Sequence, residues 1–131
     1  YKDCYPLRHI LLNIVVNPEM VEFLLKHGAD PNLTFSGSQR SNLSTAILRR
    51  SFQSAKLLLK YGADINVVSK DTNYTPLYTA VLLREKDIMR ECIKYGADKD
   101  IKSREGMTAK NLAVFLNDQE MCEIFEEEEE N

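Results

Sequence analysis

The sequence predicts an all-α repeat solenoid of about four helix-turn-helix units with hairpin loops. Three observations carry that reading. The tripeptide Gly-Ala-Asp occurs at Gly28, Gly62 and Gly96, with 34 residues from one copy to the next. Each copy follows an apolar and basic run (Phe23-Leu24-Leu25-Lys26-His27, Leu57-Leu58-Leu59-Lys60-Tyr61, Cys92-Ile93-Lys94-Tyr95) that ends in the manner of a helix. Apolar residues upstream of each copy then fall into two helical stretches per period.

The physical reason for the stop is local. Gly adopts the left-handed conformation of a helix C-cap without steric penalty, and Lys is favourable beside the free carbonyls at the negative end of the helix dipole. Asp30 with Asn32, and Asp64 with Asn66, can hold the following turn by hydrogen bonding to their own backbone.

In chain order, Tyr5-Pro6-Leu7 opens a first helix with Leu7, Ile10 and Leu11 on its buried side. Asn17 and Pro18 break it, and a second helix carries Met20, Val21, Leu24 and Leu25 on one face. Residues 33–40 are polar around Gly37 and read as a loop or short hairpin. The second unit places Leu43, Ala46 and Ile47 on its first helix and Ala55, Leu58 and Leu59 on its second. In the third, Thr75 is an N-cap with Pro76 at the next position, and Ala80, Val81, Ile88, Met89, Cys92 and Ile93 supply the core. The fourth starts at Gly106-Met107-Thr108-Ala109 and continues through Leu112, Ala113, Met121, Cys122 and Phe125. It lacks Gly-Ala-Asp and reads as a polar terminal cap. The units are expected at about 5–33, 41–67, 75–101 and 108–125, making one array over 1–125 with an acidic tail at 126–131.

Composition limits the function classes. The formal charge is −3, but five of the 20 acidic residues lie in 126–130, so the rest holds 15 acids against 17 bases. Neither value implies nucleic acid. Three distant cysteines, with no CxxC pair, fit a reduced compartment, and cytoplasm is expected, with the nucleus possible. The apolar stretch 10–16 is too short to span a membrane and lacks a signal-cleavage site. His9 and His27 form no catalytic or metal-ligand pattern, and His27 reads as a residue compatible with a helix C-terminus. No phosphate loop, nucleophile elbow or zinc signature occurs, so no catalytic residue, cofactor site or metal site is nominated and an enzyme is not expected. Three Asn-x-Ser/Thr triplets, at Asn32, Asn42 and Asn73, read as accidental in such a chain.

Pro-Leu opening a first helix, Ala three residues later, Leu-Leu-x-x-Gly-Ala-Asp-x-Asn and a period of 33 or 34 resemble the ankyrin repeat family. Thr75-Pro76-Leu77-Tyr78-Thr79-Ala80 and Leu58-Leu59-Lys60-Tyr61-Gly62-Ala63-Asp64-Ile65-Asn66 are the closest matches, and the resemblance runs from Tyr5 to Phe125. There are departures. The His after Thr-Pro-Leu is replaced by Arg8, Ser44, Tyr78 and Asn111, so its hydrogen bond to the Thr is expected to be absent throughout. Gly-His between helices becomes Arg50-Ser51, Arg84-Glu85 and Asn117-Asp118, and unit two has Ser41-Asn42 for Thr-Pro. Each lost cap or bond costs about 1 kcal/mol, so an array less stable than a consensus one is expected.

The resemblance implies a non-catalytic module that binds a partner protein on a cupped face, with hairpin tips as fingers and first-helix ends as palm. The fingers map to 35–40, 69–74 and 102–107. The implied partner-binding residues are Phe35, Arg40, Leu48, Arg49, Tyr74, Leu82, Leu83, Arg84, Met107, Phe115 and Leu116. Spacing from Leu77 and Ala80 turns at least one of Leu82 and Leu83 away from the core. Two readings of these apolar helix ends compete: they extend the core over a neighbouring repeat, or they line a strip that meets a partner with apolar anchors and some acidic groups. The run 126–130 likewise reads as a frayed, solvated tail or as an electrostatic arm. A monomer is expected, with no nucleic acid or membrane partner. Family roles include inhibitors of transcription factors, ubiquitin-ligase adaptors and pathogen proteins that engage host factors. The alternative is a regulatory or targeting fragment of a larger enzyme or channel, since the chain opens on Tyr1 rather than Met.

Overall fold

A computed structural model describes residues 15–32 and 41–130, with side chains to 127, as seven helices and no strand among them. The expected first helix of unit one and the loop 33–40 lie outside the described residues. Two compact units divide the chain after Asp64.

In the first unit, α1 (Pro18–Lys26) starts where Asn17 Oδ1 accepts the Met20 N–H at 3.2 Å, with Pro18 at the next position. Its Val21 and Leu25 are buried, and α3 packs against it. Met20, expected on the same buried face, is 42% exposed. The equivalent Ser54 is fully buried because α1 lies against α3, and no such neighbour covers Met20 among the described residues. The first helix of unit two, α2 (Asn42–Leu48), is capped by Ser41 Oγ, which accepts the Ser44 N–H, and it buries Leu43, Ala46 and Ile47. Ser41 therefore replaces the family Thr without loss of the cap. The second helix, α3 (Phe52–Lys60), packs on α2 through Ala55, Leu58 and Leu59.

The second unit holds α4 (Pro76–Leu82), α5 (Lys86–Lys94), α6 (Ala109–Phe115) and α7 (Gln119–Glu130). Thr75 Oγ1 accepts the Tyr78 N–H at 3.0 Å, as its N-cap position requires. In the last repeat Thr108 Oγ1 accepts the Asn111 N–H while Asn111 Oδ1 accepts the Thr108 N–H, a reciprocal capping box. The expectation that every repeat lacks a bond at that position is corrected here, because Asn111 restores a link to the Thr. The core contains Leu77, Val81, Ile88, Met89, Cys92, Met121 and Phe125. Cys122 is half-buried, and Ile124 takes the buried place beside Phe125. The acidic run expected as a frayed tail is helical, with α7 continuing through it to Glu130. Glu is a good helix former, which offsets part of the repulsion between like charges.

Successive repeats are also tied at their loops. Asp30 Oδ1 accepts the Asn32 N–H at 2.8 Å, the local turn expected from sequence. The Asn side chain, however, reaches the next repeat: Asn32 Oδ1 accepts the Asp64 N–H, and Asn66 Oδ1 accepts the Asp98 N–H, both at 2.7 Å. The tips join as well, with the Arg104 N–H donating to the Thr72 carbonyl and Asn73 Nδ2 to the Lys102 carbonyl.

Candidate protein-binding face

Of the residues implied by the resemblance, Phe35 and Arg40 lie outside the described residues. In the first unit, Leu48 ends α2 at 39% exposure, and Arg49, its C-cap, is exposed. The remaining seven belong to the second unit.

There α4 and α6 lie side by side, each seven residues long and each starting from a Thr cap. Their last residues, Leu82 and Phe115, therefore occupy the same register position in consecutive repeats. Leu82 is 40% exposed and Phe115 is 75% exposed. Leu83 and Leu116, one residue further on, are half-buried C-caps. Tyr74 stacks on Tyr78 with ring centroids 4.5 Å apart, and Tyr78 lies one turn before Leu82 on the same side of α4. Burial pushes the Tyr74 phenol above its ordinary pKa, helped by Glu105, Tyr78 and Asp71. Met107, at the base of the second tip, is half-buried and donates its N–H to Ser103 Oγ at 3.4 Å.

Arg84 is exposed and also paired. Its Nη1 lies 3.5 Å from Asp118 Oδ2 in the corner of the next repeat, with about half of the Arg84 side chain still exposed. Lys86 Nζ lies 3.5 Å from the same oxygen and 2.9 Å from Glu120 Oε2. Partial burial pushes the Asp118 carboxyl up. The Met121 N–H and the Lys86 and Arg84 charges outweigh that and hold it below the usual carboxylate range. The hydrogen bond to Glu120 raises Lys86.

Val114 is exposed by 61% and was not nominated from the sequence. Its counterpart Val81 is fully buried because α6 packs against α4. Aligning the repeats marks the position, but its exposure depends on the neighbour rather than on the residue. Phe23 on α1, not nominated from the sequence either, is 56% exposed and packs on His27.

A groove of about 320 Å³ between α1 and α3, lined by Pro18, Glu19, Glu22, Gln53, Lys56 and Leu57, lies on second helices rather than on the expected face. Among the described residues no cluster of three metal-ligating side chains occurs, and no helix is long and apolar enough to cross a membrane.

Short paired helices, side-chain caps at the starts of α2, α4 and α6, and loops hydrogen-bonded from one repeat to the next define a helical repeat protein. Comparison with known families places it more closely. A family model described as ankyrin repeats in three copies matches residues 43–130, and a single ankyrin repeat model matches residues 12–34. The chain belongs to the ankyrin repeat family, whose members are in general protein-protein interaction modules and typically non-catalytic. No curated protein matches it.

Proposed function

We propose that this protein binds a partner protein on the face built from hairpin tips and first-helix ends, by surface complementarity and without catalysis. One observation carries the reading: Leu82 and Phe115, at the same position of consecutive repeats, keep 40% and 75% of their surface in solvent. Large apolar side chains exposed at the same position of adjacent repeats favour an interface over unused core. Leu83 and Leu116 follow the pair directly in the chain, and Tyr74 and Met107 precede the caps of the same two helices in the second unit. In the first unit, Leu48 and Arg49 offer an apolar and a basic group to a partner with apolar anchors and some acidic groups. Two substitutions support a polar closing repeat. Lys110 and Glu126 stand where Leu77 and Ile93 are buried one repeat earlier. Cys92 and Cys122, both free thiols, support a reduced, cytoplasmic or nuclear setting.

The experiment is affinity purification from cell lysate with the wild type and with Leu82→Glu/Phe115→Glu, read by quantitative mass spectrometry. Proteins retained by the wild type should be lost from the double variant while its circular dichroism is unchanged. An identical set of retained proteins would overturn the proposal.

A further inference from the structure

One side of α1 is built like a contact and is left open. Glu19, Met20, Phe23, Lys26 and His27 stand at i, i+1, i+4, i+7 and i+8, which is a single helix face, and all five are exposed. At the Met20 position of the later second helices, Ser54, Ile88 and Met121 are buried. Phe23 is held in place before anything meets it: His27 Nδ1–H donates to the Phe23 carbonyl at 2.8 Å, and the two rings pack with centroids 4.2 Å apart. A fixed aromatic side chain loses little freedom on association. Beside it lies a hollow of about 290 Å³ lined by Asn17, Glu19, Met20 and Phe23. Projection and hollow thus occur on one face, as a self-complementary contact requires.

We infer that α1 pairs with α1 of a second copy of this chain, antiparallel about a two-fold axis, giving a homodimer in place of the monomer expected from sequence. The inference uses the first unit and does not depend on the function proposed for the second. Charge selects the occupant. Within the array, α1 and α3 lie parallel and in register, since Glu19 and Glu22 line one groove with Gln53 and Lys56 from the equivalent positions. Stacking of that kind brings like ends together, with Lys26 and Lys60 both in a last turn. A two-fold partner does the reverse. It sets Glu19, in the first turn of one α1, against Lys26 and His27 at the end of the other, twice per dimer, and it opposes the two helix dipoles. Glu19 has no ion pair among the described residues, and Lys26, 3.0 Å from Glu22, keeps 60% of its side chain in solvent. Met20 and Phe23 lie between these charged ends and supply the apolar centre, with the charges at the rim.

The test is sedimentation equilibrium of the full chain at low salt. One nine-residue helix per copy is a small contact, so association on the order of 10–100 μM is expected. The mass should rise with concentration from 15.1 kDa toward about twice that value and no further. Met20→Ser/Phe23→Ser, at exposed positions, should weaken the dimer about tenfold or more with circular dichroism unchanged. Glu19→Lys should weaken it by about threefold or more, because two pairs are lost at once. Leu82→Glu/Phe115→Glu should dimerise as the wild type does. A chain that keeps the monomer mass throughout, a mass that climbs past the dimer, or a dimer unaffected by Met20→Ser/Phe23→Ser or by Glu19→Lys would overturn the inference. Loss of the dimer in Leu82→Glu/Phe115→Glu would overturn it too, by moving the contact to the second unit.

Discussion

The first and second helices of each repeat end in the same hydrogen-bond pattern but with different residues. At the second-helix ends, Gly28, Gly62 and Gly96 take φ of 91°, 94° and 86°, and the next residue's N–H returns to the carbonyl of Leu24, Leu58 or Cys92 at 3.0, 2.9 and 3.1 Å. At the first-helix ends, Arg50, Arg84 and Asn117 take φ of 61°, 57° and 56°, and the next N–H returns to Ala46, Ala80 or Ala113 at 2.8, 3.0 and 3.4 Å. Both are Schellman closures. A Cβ added to any of the three glycines would meet nothing within 4 Å, so backbone angle and not crowding selects Gly. The residues with side chains are drawn into the narrow left-handed basin, whereas the glycines sit beyond it.

The starts of the helices show the opposite contrast. Ser41, Thr75 and Thr108 cap the first helices with side-chain oxygens, while α3 and α5 begin at Ser51 and Glu85 without a side-chain cap bond. First helices thus combine a well-made start with a strained end, and the strained end adjoins the exposed Leu48, Leu82 and Phe115. Left-handed strain at residues other than Gly is retained where the surroundings enforce it, commonly beside functional positions.

The largest effect on this contrast is expected from Gly62→Ala or Gly96→Ala, each lowering stability by about 1–2 kcal/mol in urea denaturation. An effect near zero would show that the second-helix ends relax freely. Removing Thr75 Oγ1 with Thr75→Ala should cost about 1 kcal/mol by the same measurement, confirming the first-helix starts as the better-secured ends. In the opposite direction, Arg84→Gly should stabilise by up to about 1 kcal/mol, less whatever its pairing with Asp118 contributes. Asn117→Gly should stabilise less, because Asn enters the left-handed region more readily. A thermal midpoint raised by both variants would identify the corners as one source of any stability deficit relative to consensus arrays.

The smallest effect is a pH dependence. Asp118 has a folded-state pKa depressed below its unfolded value, so its stabilisation is present above the unfolded pKa of about 4 and is lost as pH falls through the folded one. For Lys86 the folded pKa is raised, so its contribution is present below about pH 10 and is lost as pH rises through the folded value. Urea midpoints measured against pH should flatten at the acid end in Asp118→Asn.

The fold was legible because Gly28, Gly62 and Gly96 state a helix end, a conformation and a period at once. The capping roles of Thr75 and Thr108 were legible for a similar reason: a hydroxyl before a helix has few other tasks. What could not be read were properties that belong to neighbours. Val114 and Val81 are the same residue at the same position, and only the second has a helix lying over it. Met20 differs from Met121 in the same way. The engagement of Arg84 by Asp118 joins residues 34 apart across two corners, a pairing that charge alone does not show.

The asparagine bridges have a consequence for how the array opens. The Asp64 and Asp98 amides are held by side chains one repeat earlier, Asn32 and Asn66, rather than by their own loops. Their hydrogen exchange should therefore follow the opening of the preceding repeat as well as their own. Asn66→Ala should release the Asp98 amide while leaving the Ala97 amide, bonded to Cys92 within its own repeat, protected. Two exposed polar side chains would then set part of the coupling that makes neighbouring repeats melt together.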